Sequence, residues 1–451
     1  MSTNNSQYTQ KLITGEKAAG LIKPGDEVVY GGFILAPIYI DGFIAKRVQE
    51  KELSNNTFAT MCFPGISQAV AADPKSEHLI YDNAFFSPGD RILHEMGLCN
   101  HIPSLFREIP TFFEFKYMTI DILYLRTTPI DDHGFFNFGL ANTFIREMID
   151  NTKILIVETN STMPYCYGGL DEAIHISEVD YIVESDNSPI IATDPPPASD
   201  KDKIIADYLI KEIEDGSCLQ LGIGGMPNAL GALLAQSGVK DLGIHTEMLV
   251  DSVVDMYEAG CITNRNKDVF KGKIVYTFGF GSRKLYDFMD RNPACASYPV
   301  KIVNNPEVIS QNKKVVSINN AIEADLFGQI SSESKGHKHI SGSGGQFDFV
   351  QGAYGSKGGK SFICMTSTYT DKEGNQHSRI VPQFSPGTGI TVPRTMTQYV
   401  VTEYGIAQLK GKSTWKRAEA LINIAHPDFR DELVKNAEAF NIWRPVNKKM
   451  D

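Results

Sequence analysis

The chain has 451 residues, of which 42% are hydrophobic and 22% are charged, and its formal net charge is −11. This length favours two domains, and the composition is that of a globular protein with a large core. The negative charge argues against general binding to nucleic acid or anionic membranes, although it leaves room for one local basic pocket that binds a phosphorylated ligand.

Cysteine usage and the N-terminal sequence indicate the compartment. The seven cysteines are scattered, and none is spaced C-x-x-C. This pattern predicts free thiols in a reducing compartment, with no disulfide framework and no zinc site. The first residues lack the apolar region of a signal peptide, and no stretch approaches the roughly 18 apolar residues of a membrane span. A cytoplasmic protein without a membrane partner is therefore expected.

The first half of the chain alternates strands with helices. Asp26 to Tyr30 is predicted as a strand, and Gly31-Gly32 leads to a helix that runs from Pro37 to about Glu50. Apolar runs that are typical of buried parallel strands follow at 57–62, 120–125 and 154–157. The order of elements indicates an α/β domain with a parallel sheet.

A proline-rich segment separates the two halves. Residues 190–202 read IIATDPPPASDKD, and three consecutive prolines have no backbone donors and prefer an extended course. We therefore predict an N-terminal domain over 1–192, a linker over 193–202 and a C-terminal domain over 203–451.

The stretch from 209 to 260 contains the strongest local signal. Cys218 to Leu221 is a short apolar strand, and a glycine loop with a following proline opens a helix; the loop residues are Gly222, Gly224, Gly225, Met226 and Pro227. Such a loop lets backbone N–H groups approach an anionic or carbonyl-bearing ligand at a helix N-terminus. Its spacing is neither that of the dinucleotide fingerprint nor that of the P-loop.

The same order of elements occurs twice. IKPGDEVVYGGFILAP and IEDGSCLQLGIGGMP both give a helix end, a glycine, a short strand, a pair of glycines and a proline before a helix. Gly25 and Gly216 occupy equivalent positions. We interpret this as duplication of one supersecondary unit, which predicts two similar α/β domains.

Glu247 follows the segment Gly243-Ile-His-Thr and is predicted to begin a helix that Gly260 closes. A carboxylate at a strand-to-helix junction lies where open α/β sheets place their chemistry. Glutamate in a first helical turn is also favoured by the helix dipole alone, and the local pattern favours this plain explanation.

The remaining elements complete the second half. Strands are predicted over 273–278, 314–318, 361–367 and 399–402, and helices over 416–424 and 428–440. A second glycine loop spans 341–349.

Two clusters of polar residues could suggest a metal site. Asp131-Asp132-His133 and His337-Lys338-His339 both contain ligand-type side chains. Adjacent carboxylates favour turns, and neither cluster has further ligands at the spacing that a metal requires. Loops are predicted at both places, and no metal is expected.

Several segments together resemble family I coenzyme A transferases of the acetyl-CoA hydrolase/transferase branch, which includes 4-hydroxybutyrate and butyryl-CoA:acetate CoA-transferases. The matching segments follow the order of the family: Asp132-His-Gly, Ile156-Val-Glu-Thr-Asn, Met163-Pro164, Gly222-Ile-Gly-Gly-Met-Pro-Asn-Ala, Gly243-Ile-His-Thr-Glu-Met, Ser282-Arg-Lys-Leu-Tyr-Asp-Phe, Ala321-Ile-Glu-Ala-Asp-Leu-Phe-Gly-Gln, Gly344-Gly-Gln-Phe-Asp-Phe-Val-Gln-Gly-Ala, Pro393-Arg, Val401-Thr-Glu-Tyr-Gly and Ala425-His-Pro-Asp-Phe-Arg. They cover nearly the whole chain, and the ordered set is far more specific than any one of them.

The resemblance implies the fold and the site. It implies two similar parallel-sheet α/β domains of the CoA-transferase (NagB/RpiA-like) type, with the active site in the cleft between them. It places the nucleophile at Glu247. It also implies CoA or oxyanion contacts from the two glycine loops and one asparagine, namely Gly222, Gly224, Gly225, Met226, Pro227, Asn319, Gly344 and Gly345. Tyr165-Cys166 departs from the Arg-Thr pair that often follows Met-Pro in this family.

The function that the resemblance implies is transfer of CoA between a short-chain acyl-CoA and a carboxylic acid such as acetate. The reaction would follow a ping-pong course through a glutamyl-CoA thioester, with coenzyme A as a substrate and no separate cofactor. Hydrolysis of acyl-CoA on the same site is one alternative, and a non-catalytic ligand-binding protein is another. The sequence leaves the acyl group open among butyryl, 4-hydroxybutyryl, propionyl and acetyl. A homodimer or homotetramer is expected.

Overall fold

Two parallel β-sheets, one in each half of the chain, organise the molecule. The computed structural model describes residues 3–444. The chain divides into two units, of which the first comprises the described residues up to Thr193 together with 275–303. The second unit comprises 194–274 and the described residues from Asn304 onward.

The first unit contains a seven-stranded sheet whose paired strands all run parallel. Its strands, in their order across the sheet, are Asn100–His101, Leu79–Asn83, Asn56–Thr60, Glu27–Tyr30, Ile120–Thr127, Thr152–Thr159 and Tyr181–Glu184. Every residue of the long strand 120–127 except Asp121 is buried. This burial explains why its sequence is a nearly continuous apolar run rather than an alternating one.

Helices and short strands surround this sheet. The helices are Thr3–Lys11, Gly15–Gly20, Ile38–Gln49, Gln68–Ala71, Pro88–Glu95, Ile109–Glu114, Ile145–Asp150, Arg283–Met289 and Val300–Val303. The short strands outside the sheet are Phe135–Asn137, Ala173–His175, Phe278–Gly279 and Cys295–Ser297, and Ile274–Tyr276 spans the point where the chain enters the segment 275–303.

The segment 275–303 belongs to the first unit, whereas the sequence predicts it as part of the C-terminal domain. The phenyl ring of Phe278 stacks on that of Phe33 with 4.1 Å between the ring centroids. The Asn142 N–H donates to the Thr277 carbonyl over 2.8 Å, and the Val300 N–H donates to the Thr143 carbonyl. Aromatic packing and backbone hydrogen bonds thus hold this segment in the first unit, and neither is visible as a local sequence pattern.

The second unit contains a six-stranded sheet. Its strands, in order across the sheet, are Gly243–Ile244, Cys218–Leu221, Val315–Asn320, Lys360–Cys364, Tyr399–Thr402 and Gly405–Gln408. The pairings are parallel except the last, where 405–408 returns antiparallel beside 399–402. The helices are Asp200–Leu209, Gly225–Ser237, Asp251–Glu258, Pro306–Gln311, Gln346–Gly355, Thr414–Asn423 and Pro427–Ala439. Short strands lie at Met248–Leu249, Glu323–Asp325, Ile330–Ser331, Ser334–Lys335, Lys338–His339, Thr368–Thr370, Gln376–Ser378 and Ile380–Val381.

The two sheets support the duplication that the sequence indicates. In each unit the first sheet strand lies inside the sheet, with the next sheet strand on one side and a later strand on the other. Gly25 and Gly216, which precede these strands, both have positive φ angles, +85° and +75°. Glycine reaches this conformation without steric cost, which explains its presence at both positions. The predicted fold class, two similar parallel-sheet α/β domains, is confirmed.

The part of the chain from 3 to 444 contains no helix that is both long and apolar enough to cross a membrane.

Candidate active site

Glu247 lies just beyond the carboxyl end of the edge strand Gly243–Ile244 in the second unit. The sequence predicts that a helix begins at Glu247, and this prediction is wrong. Met248–Leu249 is extended, Val250 has φ −133° and ψ 162°, and the helix starts at Asp251. Glu247 therefore lies outside the first helical turn, and the helix dipole does not account for a glutamate at this position.

The Glu247 carboxylate is held by two donors. The Asn304 side-chain amide donates from Nδ2 to Oε2 over 2.6 Å, and the backbone N–H of Gly345 also donates to this carboxylate. Burial raises the pKa of Glu247 to about 7, because the loss of water outweighs the stabilising effect of both hydrogen bonds. A carboxyl group with this pKa is a functional-site candidate on physical grounds alone.

The backbone of Gly345 lies directly against this carboxylate. A Cβ atom at Gly345 would lie 1.9 Å from Glu247 Oε2 and 2.1 Å from Asn304 Nδ2. No side chain can occupy that space. Glycine is therefore required at position 345 for the backbone of the second glycine loop to approach Glu247. Gly344 has a φ of +53°, which also favours glycine. The structure thus brings Gly345, Asn304 and Glu247 together, while a CoA contact from Gly344 or Gly345 stays a prediction.

The first glycine loop starts at the end of strand 218–221. Gly224 is the N-cap of helix Gly225–Ser237 and has a φ of +124°, and a Cβ at Gly225 would lie 2.8 Å from Asp202 Oδ2. The side chains of Met226 and Pro227 are buried, whereas a Cβ at Gly222 would meet open space. The backbone of 222–225 is accordingly the part of the loop that is open to a ligand, and its contacts with CoA stay a prediction.

A hydrogen bond links this loop segment to the Glu247 segment. The Thr246 hydroxyl lies 3.4 Å from the carbonyl oxygen of Leu221, the residue before Gly222, and 3.0 Å from that of Met248. Thr246 is buried, so its hydroxyl fixes the backbone next to Glu247 rather than facing solvent.

Asn319 lies at the carboxyl end of strand 315–320, where its side chain already has partners. Its Nδ2 donates to Ser317 Oγ over 2.9 Å and to Gln220 Oε1 over 3.1 Å, and its Oδ1 accepts from Gln220 Nε2 over 3.3 Å. The neighbouring Asn320 contacts the first glycine loop, since its Nδ2 donates to the Ile223 carbonyl over 3.2 Å. The predicted contact of Asn319 with CoA or an oxyanion stays a prediction.

Two residues of the site are absent from the sequence-based prediction. Asn304 precedes Asn305-Pro306, which has the sequence of a helix start, and indeed Asn305 is the N-cap of helix Pro306–Gln311. Asp348 lies within the motif Gly344-Gly-Gln-Phe-Asp-Phe, but the motif does not indicate its role. Both side chains are fully buried. What identifies them is that a buried amide and a buried carboxylate lie beside a glycine loop. Burial is visible only in the structure, so the sequence could not identify them.

Of the two polar clusters that could suggest metals, the first lies in a turn, whereas Lys338–His339 in the second forms a short strand, so the prediction of a loop is wrong for those two residues. Asp131 Oδ1 accepts the backbone N–H groups of His133 and Phe135 over 2.9 Å each, as in a turn. Throughout the described residues no group of three or more His, Cys, Asp or Glu side chains could hold a metal ion.

Comparison with known proteins decides the family. Residues 1–193 match the model of the acetyl-CoA hydrolase/transferase N-terminal domain, and residues 281–437 match that of the C-terminal domain. The chain belongs to the acetyl-CoA hydrolase/transferase family. The resemblance inferred from the motifs is therefore confirmed.

Relatives match over nearly the full length of the chain. The butyryl-CoA:acetate CoA-transferase of Anaerostipes caccae is 44% identical and covers 98% of this chain and 99% of its own. The probable butyrate:acetyl-CoA coenzyme A-transferase of Syntrophomonas wolfei is 46% identical and covers 98% of each chain. The 4-hydroxybutyrate coenzyme A transferase of Clostridium kluyveri is 39% identical over 95% of this chain and 97% of its own.

A solved structure shares the fold over nearly the whole chain. The crystal structure of RipA from Yersinia pestis has a TM-score of 0.88 at 34% identity, and the match covers 98% of this chain and 100% of RipA. The CoA-transferases described above and the family match show that the present protein is an enzyme that transfers CoA. The alternative of a non-catalytic binding protein is thereby excluded.

Proposed function

We propose that the protein transfers CoA between a short-chain acyl-CoA and a carboxylic acid by a ping-pong reaction through a glutamyl-CoA thioester on Glu247. Butyryl-CoA and acetate are the first pair to test, because the relatives that are 44% and 46% identical are named for butyryl or butyrate and for acetate or acetyl-CoA. 4-Hydroxybutyryl-CoA is the next candidate, followed by propionyl-CoA and acetyl-CoA.

The observation that carries the proposal is the environment of the Glu247 carboxylate. It is partly buried, it is held at one oxygen by Asn304, and it lies against a glycine that has no room for a side chain. A positioned carboxylate of this kind can act as a covalent nucleophile.

The first half-reaction forms the thioester. A Glu247 oxygen attacks the acyl carbon, the C–S bond breaks, and CoA leaves as a thiolate, which gives a mixed acyl-glutamyl anhydride. The thiolate then attacks the glutamyl carbon, the C–O bond of the anhydride breaks, and the first acid leaves as a carboxylate. In the second half-reaction an acceptor carboxylate attacks the thioester, and the same two steps run in reverse to release a new acyl-CoA.

The raised pKa of Glu247 favours the first step. An ordinary carboxyl group titrates about four units below a thiol, so replacing a thiolate by a carboxylate costs roughly 6 kcal/mol. With a pKa of about 7, the gap to a thiol near ~8.5 narrows to roughly 2 kcal/mol. Binding of the remote parts of CoA and backbone donors directed at the developing oxyanion, worth roughly 3 kcal/mol each, can offset the remainder.

Trapping of the intermediate tests the proposal. The protein is mixed with butyryl-CoA without acceptor, treated with borohydride or hydroxylamine, digested and mapped by mass spectrometry. We expect the modification on the peptide that contains Glu247 and none in Glu247→Gln treated identically. Glu247→Ala should likewise abolish transfer and leave the fold intact.

Two outcomes would contradict this proposal. An unmodified Glu247 peptide in an enzyme that turns over, or transfer near the wild-type rate in Glu247→Ala, would exclude the glutamyl thioester. Adduct formation followed by release of free acid at the same rate with and without acetate would instead identify a hydrolase on the same site.

A further inference from the structure

The Asn304 side chain lies between two carboxylates. Its Nδ2 is 2.6 Å from Glu247 Oε2 and 3.4 Å from Asp348 Oδ2. Asn304 and Asp348 are each 0% exposed. A primary amide has two N–H groups, so one nitrogen can donate to both carboxylates at once.

Nothing else in the described part of the chain selects the orientation of this amide. Asn304 Oδ1 is buried and accepts no hydrogen bond there. Ionised carboxylates only accept hydrogen bonds, so the amide edge that faces them has to carry its nitrogen. If the amide turned over, its oxygen would face Glu247 and repel the carboxylate.

The backbone around this pair is rigidly packed. Asn304 precedes helix Pro306–Gln311, and Asp348 lies in the first turn of helix Gln346–Gly355. The two helices approach closely at Gly352, where a Cβ would lie 2.6 Å from Ile309 Cβ. This contact fixes the distance between the elements that carry Asn304 and Asp348.

We infer that Asp348 is a positioning residue for the nucleophile: it fixes the Asn304 amide so that Nδ2 donates to Glu247 Oε2. Asn304 then holds Oε2 and leaves Oε1 to attack the acyl carbon. This inference rests on the proposed function, in which Glu247 is the nucleophile.

The same contact has a second use later in the reaction. Once Oε1 carries the acyl group, Oε2 is the carbonyl oxygen of the glutamyl anhydride. Negative charge develops on Oε2 when the CoA thiolate attacks that carbon, and the C–O bond to the first acid then breaks. Asn304 Nδ2 is already directed at Oε2, so it stabilises this charge without rearrangement.

Ionisable groups lie on several elements around Glu247, and the helix that follows it carries Asp251, Asp255, Tyr257 and Glu258. Asp348 comes from helix 346–355, and His245 precedes Glu247 with its ring near Phe270 and Phe349. The Lys267 ammonium donates to the carbonyl of Ile244 over 2.7 Å. Among these, Asp348 is the group that shares the Asn304 amide with Glu247.

Asp348→Asn tests the inference, because asparagine keeps the volume but can donate to Asn304 Oδ1 and let the amide turn over. We expect the acid limb of the kcat/KM profile with butyryl-CoA to move up by about one pH unit, since loss of a hydrogen bond to an ionised group is worth about this much. At pH 7 the rate of adduct formation should fall about fivefold, because the ionised fraction of Glu247 drops from about one half to about one tenth. The affinity for free CoA should stay unchanged.

Two further variants separate positioning from a loss of stability. Asn304→Ala should give the same displacement of the acid limb, and adding Asp348→Asn to it should give no more, because both act through one contact. Asp325→Asn is the matched control, since Asp325 is a buried carboxylate in the same unit whose partners lie within 325–329. Its acid limb should coincide with that of the wild type.

An acid limb of Asp348→Asn or Asn304→Ala that coincides with the wild type would overturn the inference. If Asp348→Asn does not fold, an unshifted acid limb in Asn304→Ala still overturns the inference, because Asp348 is inferred to act only through Asn304. Trapping in the wild type separates this failure from that of the proposed function. If Glu247 forms the adduct but the acid limbs of the variants do not move, only the role of Asp348 is excluded. If no adduct forms, the pH dependence of stability still shows whether Asp348 controls the ionisation of Glu247. Stability is then compared with and without Glu247→Gln, both in the wild type and in Asp348→Asn.

Discussion

Glu247 illustrates what a single residue reveals about its own role. The folded protein raises the pKa of this carboxyl group from 4.5 to about 7 through burial. The folded state therefore binds a proton that the unfolded state has released, and this group lowers stability as the pH rises from about 4.5 to about 7. A natural protein keeps such a cost where the group has a task.

Glu247→Gln should remove that cost. Relative to the wild type, we expect the variant to gain stability progressively between pH 5 and pH 7 and to remain about 1 to 3 kcal/mol more stable at pH 8. Denaturant unfolding at pH 5, 6, 7 and 8 measures the difference. Glu307→Gln, at an exposed position of the same unit, should show no such trend. A stability difference between the two proteins that stays constant from pH 5 to pH 8 would contradict the raised pKa.

The sequence predicts some residues of the site and misses others. Glu247 and Gly345 are predicted because both belong to motifs that resemble one family. Asn304 and Asp348 are missed because an asparagine before Asn-Pro and an aspartate in a first helical turn have ordinary explanations as caps. Only the fold shows that their side chains meet at one carboxylate.

At the scale of the element, the prediction succeeds where the hydrophobic pattern is unambiguous. Strand 399–402 is predicted with the bounds that the structure has, and strand 120–127 extends the predicted run by two residues. The predicted helix from Glu247 fails because Leu249 and Val250 fit a helical face yet are buried in extended backbone. Local periodicity cannot distinguish a buried strand from a buried helix over so few residues.

Lys267 shows how a loop is anchored beside the edge strand. Its ammonium donates to the carbonyls of Ile244 and Lys273, 2.7 and 2.8 Å away, and its side chain is buried. Burial lowers its pKa from 10.5 to about 8. The folded state therefore binds fewer protons than the unfolded state between these values, and stability rises with pH across this window.

Lys267→Met should lose this dependence. We expect the stability of the wild type relative to the variant to rise by up to about 3 kcal/mol between pH 8 and pH 10.5. Denaturant unfolding across this range provides the measurement. Lys271→Met, which alters an exposed lysine of the same loop, should leave the curve parallel to that of the wild type. A constant difference between wild type and Lys267→Met would show that Lys267 titrates normally.

At the scale of the whole molecule, the two units do not correspond to two continuous halves of the chain. The first unit is completed by 275–303, which lies more than 80 residues beyond Thr193. The proline-rich stretch that the sequence indicates as a boundary lies where the chain passes from the first unit to the second. The return of the chain to the first unit at 275–303 has no such signal in the sequence, because its contacts are long-range. Phe278, for example, packs on Phe33.

A fragment of residues 1–193 should therefore not fold on its own. Without 275–303 the ring of Phe33 loses its stacking partner, and the backbone N–H of Asn142 loses its acceptor. We expect no cooperative thermal transition in circular dichroism and strong binding of a hydrophobic dye, in contrast to the full chain. A cooperative transition in the fragment would show that the segment 275–303 is dispensable for the first unit.

Gly345 finally has a consequence for how the gene can vary. Every amino acid other than glycine places an atom where the Glu247 carboxylate and the Asn304 amide already lie. Position 345 should therefore tolerate no replacement in a saturation scan that selects for activity, whatever the size or polarity of the new side chain. Selection at this codon acts on the absence of a side chain rather than on the presence of a functional group.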